Sequence, residues 1–187
     1  MSEKADQEDR AQGEDELSTE AGPGHEEIEL RARKAALSTV DGFIAFGFGS
    51  GLLTKAPGTM GTLAAVPVAI VVDMLGFSLA WFAFITFWLG VWVCARVTRA
   101  LDIEDYGGIV WDEMVGFWLV AAFIPQHWAW YIGAFVLFRG FDILKPWPIS
   151  KLEEALEGGL GIMLDDVLAA VYAILVLAFI HNMIVGA

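Results

Sequence analysis

The stretch from Val167 to Ala187 reads VLAAVYAILVLAFIHNMIVGA, 21 residues without an Asp, Glu, Lys or Arg. As a helix it is ~31 Å long, enough to cross the hydrocarbon core of a bilayer. The rest of the chain is of the same material. Of its 187 residues 57% are hydrophobic, with eight Trp and thirteen Phe against eleven Lys plus Arg, and the mean hydropathy is +0.58. This is the composition of a membrane protein rather than of an ordinary soluble domain.

Working back from the C-terminus, further apolar elements appear. Residues 62–76 (TLAAVPVAIVVDMLG) and 78–95 (SLAWFAFITFWLGVWVCA) read as two helices joined by a tight turn at Gly76. From Met114 to Phe138 there is again no Asp, Glu, Lys or Arg, but PQHW at 125–128 breaks the run, which predicts two short helices meeting at a bend. The expected fold is all-α: a multihelical integral membrane bundle of about four to five hydrophobic helices.

The formal charge of −13 is unevenly spread, since residues 1–36 hold eleven of the 24 acids. That segment is nearly free of aromatic and β-branched residues and cannot bury enough apolar surface to offset its ordering entropy. It is read as a disordered acidic tail, with residues 37–187 as the membrane-embedded domain. It lacks the apolar core and small-residue cleavage site of a secretory signal, so the N-terminus is expected to stay in the cytoplasm. The single cysteine, Cys94, sits in an apolar run and reads as inert packing.

Basic residues set the orientation. Arg31, Arg33, Lys34 and Lys55 precede the first apolar element, Arg96 and Arg99 follow the second, and Arg139, Lys145 and Lys151 follow the broken run. With all of these on the cytoplasmic side, the chain makes two hairpins and a final span, and Gly76 and Pro125 lie outside.

Three acidic groups then border apolar helices on that one face: Asp112 and Glu113 in IVWDEMVGFWL (109–119), Asp142 in LFRGFDILKPWP (137–148), and Asp165 and Asp166 in GGLGIMLDDVLAA (158–170). Each has a plain structural reading. Asp112 and Glu113 suit a wet boundary, Arg139 and Asp142 an i,i+3 ion pair, and Asp165 or Asp166 a helix N-cap. Together they suggest cation binding. Carboxylates without His or Cys beside them favour magnesium over zinc, and His25, His127 and His181 lie in the tail or toward the far side. The glycine-rich segment FGFGSGLLTKAPGTMGTLAAVP (46–67) offers backbone amides, hydroxyls such as that of Thr59, and Lys55 to an anion, but fits neither GxxxxGK[ST] nor a strand-linked GxGxxG.

Four motifs in order, GFGSGLLTKAPGTMGTLAAVP, GGIVWDEMVGFW, FRGFDILKPWPIS and GGLGIMLDDVLAAVYA, resemble the phosphatidylglycerophosphatase A family over residues 43–181. The resemblance implies magnesium-dependent removal of the terminal phosphate of phosphatidylglycerophosphate, giving phosphatidylglycerol in the bacterial inner membrane. The phospholipid and the bilayer are then the partners; no nucleic acid is expected, and no oligomeric state is assigned. The expected metal ligands come from Asp112, Glu113, Asp142, Asp165 and Asp166, with Asp112, Glu113, Asp142 and Asp166 catalytic, and Arg139, Lys145, Lys55 and Thr59 holding phosphate oxygens. A metal-activated water and an aspartyl-phosphate both remain open as mechanisms, although DIEDY at 102–106 fails the usual DxDx[TV] signature, and Ala100 stands where a Cx5R phosphatase needs arginine. The alternative is a small ion- or proton-coupled transporter using the boundary carboxylates.

Overall fold

The computed structural model describes residues 25–53, 55–103, 106–151, 156 and 158–186. Every regular element among them is helical: α1 (His25–Ser38), α2 (Val40–Ala45), a 3-10 segment (Gly47–Leu52), α3 (Pro57–Met74), α4 (Leu79–Leu101), α5 (Trp111–Ala121), α6 (Trp128–Leu144) and α7 (Gly158–Val185).

Three of these, α3, α4 and α7, are long and apolar enough to cross a bilayer. Only 22–33% of their most apolar windows is buried inside the protein. Their outward faces carry Ile70, Val71, Trp81, Phe84, Ile85, Trp88, Leu175 and Phe179, all well exposed. So large an apolar surface is stable against lipid rather than water.

The centre belongs to α5. Its eleven residues make ~16 Å of helix, too short to span a bilayer. Nearly all of them are buried: Trp111, Met114, Val115, Gly116, Phe117, Trp118, Val120 and Ala121. A helix that is apolar all round is stable only inside other helices, and α3, α4, α6 and α7 pack around it. Two indoles hold its height. Trp118 Nε1 donates to Ala65 O on α3 (2.9 Å), and Trp111 Nε1 donates to Thr86 O on α4 (3.0 Å). Buried indole N–H groups would otherwise be left without partners.

Three boundaries differ from the sequence reading, each for a packing reason. Of the segment read as tail, residues 1–24 lie outside the described residues, but His25–Ser38 is a helix. Ala32 and Ala36, one turn apart, are fully buried in the core. Small side chains allow this close approach, and composition alone gives them little weight. Next, α4 runs on to Leu101, with Arg96 and Arg99 inside it. Arg96 bonds Asp41 (2.6 Å) and stacks over Trp92, while Arg99 Nε donates back to Ala95 O (2.8 Å).

Lastly, α7 starts at Gly158, eight residues before Asp166, so Asp165 and Asp166 are helix-interior residues rather than its N-cap. The glycines that suggested a loop serve helix packing. A Cβ at Gly159 would strike Val91 O and lie 2.7 Å from Ala95 N, both on the backbone of α4.

Gly159→Val is therefore expected to wedge α7 from α4. Overpacking of this kind costs ~1–3 kcal/mol. In detergent the thermal midpoint should fall by roughly 5 °C, measured by unfolding fluorescence; an unchanged midpoint would contradict this close packing.

Candidate metal and phosphate site

Four helices deliver the chemistry to one place. The start of α5 is fixed by Val110 N, which donates to Ala45 O (3.0 Å) and ties the preceding loop to the end of α2. No side chain caps α5, and Asp112 and Glu113 occupy its first turn, where negative charge is favoured. From α6 comes Arg139, whose Nη1 donates to Asp142 Oδ2 one turn on and lies 3.6 Å from Glu113 Oε1. From α7 comes Asp166, only 3% exposed. From α3 comes Gly58, where a Cβ would run into Glu113 Oε1 and lie 2.8 Å from Arg139 Nη2. A backbone without a side chain is what leaves room there.

Asp112, Glu113 and Asp166 each present one carboxylate oxygen, and these oxygens lie within 4.8 Å of one another. Arg139 is the cation that faces them, and Asp142 already occupies it. Asp112 Oδ1, Glu113 Oε2, Asp166 Oδ2 and Arg139 Nε are buried with no hydrogen-bond partner among the described residues. Buried polar atoms seldom stay unsatisfied, so these point to a ligand.

Electrostatics agrees. On α5, outside the spanning helices, burial and then the charge of Asp166 push the Glu113 carboxyl up to about 8. Burial and the adjacent Glu113 push Asp112 well above the ordinary carboxylate range. A divalent cation would relieve both effects. Hard oxygen donors with no His or Cys among them fit magnesium or a similar ion.

The remaining expected residues are placed as follows. Asp142 borders the cluster through Arg139. Asp165, adjacent in sequence to Asp166 and thus turned about 100° around the helix, meets Lys145 instead, with Nζ donating to Oδ2 at 3.1 Å. Thr59 is half-buried in the first turn of α3, beside Gly58. Lys55 is exposed and lines a separate pocket of about 480 Å³. Asp73 lies at the opposite end of α3, in a mainly apolar groove of about 560 Å³ with Gln126, His127 and Tyr131. Gly58 was missed on sequence as a residue of the site. Its signal was the PGT at the start of α3, which reads equally well as a turn.

A family model described as phosphatidylglycerophosphatase A matches residues 43–181. A Haemophilus influenzae phosphatidylglycerophosphatase A is 46% identical over 147 residues, covering 77% of this chain and 90% of the relative. An Escherichia coli protein of the same name is 39% identical over 141 residues, covering 74% of this chain and 82% of the relative. A Bacteroides thetaiotaomicron protein, named provisionally as a phosphatidylinositol-3-phosphatase, is 40% identical over 145 residues, 72% of this chain and 89% of the relative. No solved structure matches the chain.

Gly58→Ala is expected to leave the fold intact and displace the Glu113–Arg139 pair. The added methyl meets the ends of side chains rather than backbone. Binding of Mn²⁺, followed by electron paramagnetic resonance, should weaken about tenfold, or ~1.4 kcal/mol, with the thermal midpoint in detergent almost unmoved. Undiminished Mn²⁺ binding would contradict the tight packing at this glycine.

Proposed function

This chain belongs to the phosphatidylglycerophosphatase A family and is a phosphatase, and from that premise we propose that it hydrolyses the terminal phosphomonoester of phosphatidylglycerophosphate with magnesium as cofactor. The products are phosphatidylglycerol and inorganic phosphate. The observation that carries the reading is the triad of Asp112, Glu113 and buried Asp166 beside Arg139, with buried oxygens that have no partner among the described residues.

Asp112, Glu113 and Asp166 would hold the metal. When bound, the ion supplies positive charge to the phosphoryl oxygens and lowers the pKa of a nearby water. Phosphoryl transfer needs little covalent help, so the protein's part is positioning and charge neutralisation. Arg139 would donate to the non-bridging oxygens, with its guanidinium held by Asp142. The first turn of α3, with Thr59 and no side-chain cap, faces the same pair through Gly58 and adds backbone donors. In the reaction a water oxygen bonds to phosphorus, the bond from phosphorus to the glycerol oxygen breaks, and that oxygen leaves with a proton. Asp165, held by Lys145, stands beside the triad and supports the fold around it.

A lipid monoester carries its phosphate at headgroup level, and the cluster lies toward one end of the bundle. Arg96, Arg99, Arg139 and Lys145 gather toward that end, which supports a cytoplasmic face of the bacterial inner membrane. The transporter alternative needs ionisable groups along a path to the far end. The stretch 78–95 has none, and family membership does not favour it.

Purified protein in detergent is expected to release phosphate from phosphatidylglycerophosphate, to lose this activity in a chelator, and to regain it with Mg²⁺. Asp166→Asn and Asp142→Asn should each lower kcat roughly 10²–10³-fold while membrane insertion is unchanged. Full turnover by both variants at saturating Mg²⁺ would overturn the assignment of these carboxylates.

A further inference from the structure

The lipids named for the relatives share a feature beyond the phosphate removed: a second phosphate, the diester that joins the headgroup to the lipid. The catalytic triad with its one arginine accounts for the monoester alone.

A pocket of about 480 Å³ opens beside it, lined by Glu29 and Arg33 of α1, Lys55 and Pro57 ahead of and at the start of α3, Gly51 to Leu53, and Tyr106 to Gly108. Its lining residues stand next in sequence to residues of the catalytic cluster. Pro57 precedes Gly58, the residue pressed against Glu113 and Arg139, and consecutive Cα atoms are only ~3.8 Å apart. Gly108 lies four residues before Asp112 and packs so tightly on Gly51 that a Cβ at Gly51 would strike Gly108 O. Two cations from separate elements, Arg33 and Lys55, line this pocket beside the hydroxyl-bearing Tyr106 and glycine backbone. Glu29, one turn before Arg33, offsets part of that charge and supplies an acceptor for a headgroup hydroxyl. Glu29, Arg33 and Tyr106 all line this one pocket.

We propose that this pocket receives the phosphodiester of the substrate headgroup, with Arg33 and Lys55 holding its oxygens, so that selectivity for a two-phosphate lipid over a simple lipid monoester resides there. The inference rests on the lipid phosphatase reading above. Arg33 lies outside the family match at 43–181, on a helix whose buried Ala32 and Ala36 fix it to the bundle. The subsite is therefore completed by a part of this chain that the family's motifs do not include. Arg33 is exposed, so its attraction is screened by salt and moderate in size.

The test compares the full-length protein with Arg33→Gln and Arg33→Lys in mixed micelles, using phosphatidylglycerophosphate and phosphatidic acid of matched acyl chains. Phosphatidic acid serves as substrate, or as a competitive inhibitor where it is not turned over. For Arg33→Gln, KM for phosphatidylglycerophosphate should rise about tenfold at low salt with kcat within twofold, while the constant for phosphatidic acid shifts less than twofold. Arg33→Lys should recover most of the difference, and high salt should shrink it. Equal shifts for both lipids, or none for either, would overturn the subsite while leaving the phosphatase in place. Failure of the unaltered protein to release phosphate from phosphatidylglycerophosphate would instead remove the function on which the subsite rests.

Discussion

Mutual repulsion among Asp112, Glu113 and Asp166 is the constraint around which the bundle is built. Ionised together without a cation, like charges at the 4.8 Å outer separation of their ligand oxygens would repel by about 3–4 kcal/mol per pair at an effective dielectric of 20, which, with burial, is why Asp112 and Glu113 hold their protons above the ordinary carboxylate range. One arginine, already shared with Asp142, cannot offset three such pairs. Folding stability is a difference of only ~5–15 kcal/mol, so a cluster of this kind is costly to hold ionised without a cation. The surrounding features follow from holding it: a short helix buried on all sides, two indoles that set its height, and a glycine where a methyl would touch the carboxylate.

The same constraint explains the division of labour among the acids. Adjacent residues on α7 point in different directions, so Asp166 joins Asp112 and Glu113 while Asp165 reaches Lys145 at the end of α6. Arg139 and Asp142, one turn apart, brace each other beside the triad. Charges thus gather toward one end of a bundle whose outer surface is apolar. That is the arrangement expected of an enzyme whose substrate offers a phosphate at headgroup level and keeps its chains in the membrane.

Much of this was legible in the sequence. Long apolar runs identify the spans, and PQHW marks the break between α5 and α6, because hydropathy and proline act locally. Asp112, Glu113 and Asp166 stand out because carboxylates are rare beside such runs. What could not be read depends on neighbours distant in the chain. The glycines before Asp165 suggest a loop until α4 is seen pressed against Gly159. The helix His25–Ser38 is hidden in an acidic composition, since only the burial of Ala32 and Ala36 against the bundle makes it worth forming. The different partners of Asp165 and Asp166 depend on helical phase, which a misplaced helix start conceals.

The most direct measurement is anomalous diffraction from crystals of the protein soaked in Mn²⁺. A peak bounded by carboxylate oxygens of Asp112, Glu113 and Asp166 is predicted, within reach of a phosphate held by Arg139. A Mn²⁺-active enzyme whose ion sits elsewhere, with those three carboxylates empty, would contradict the account.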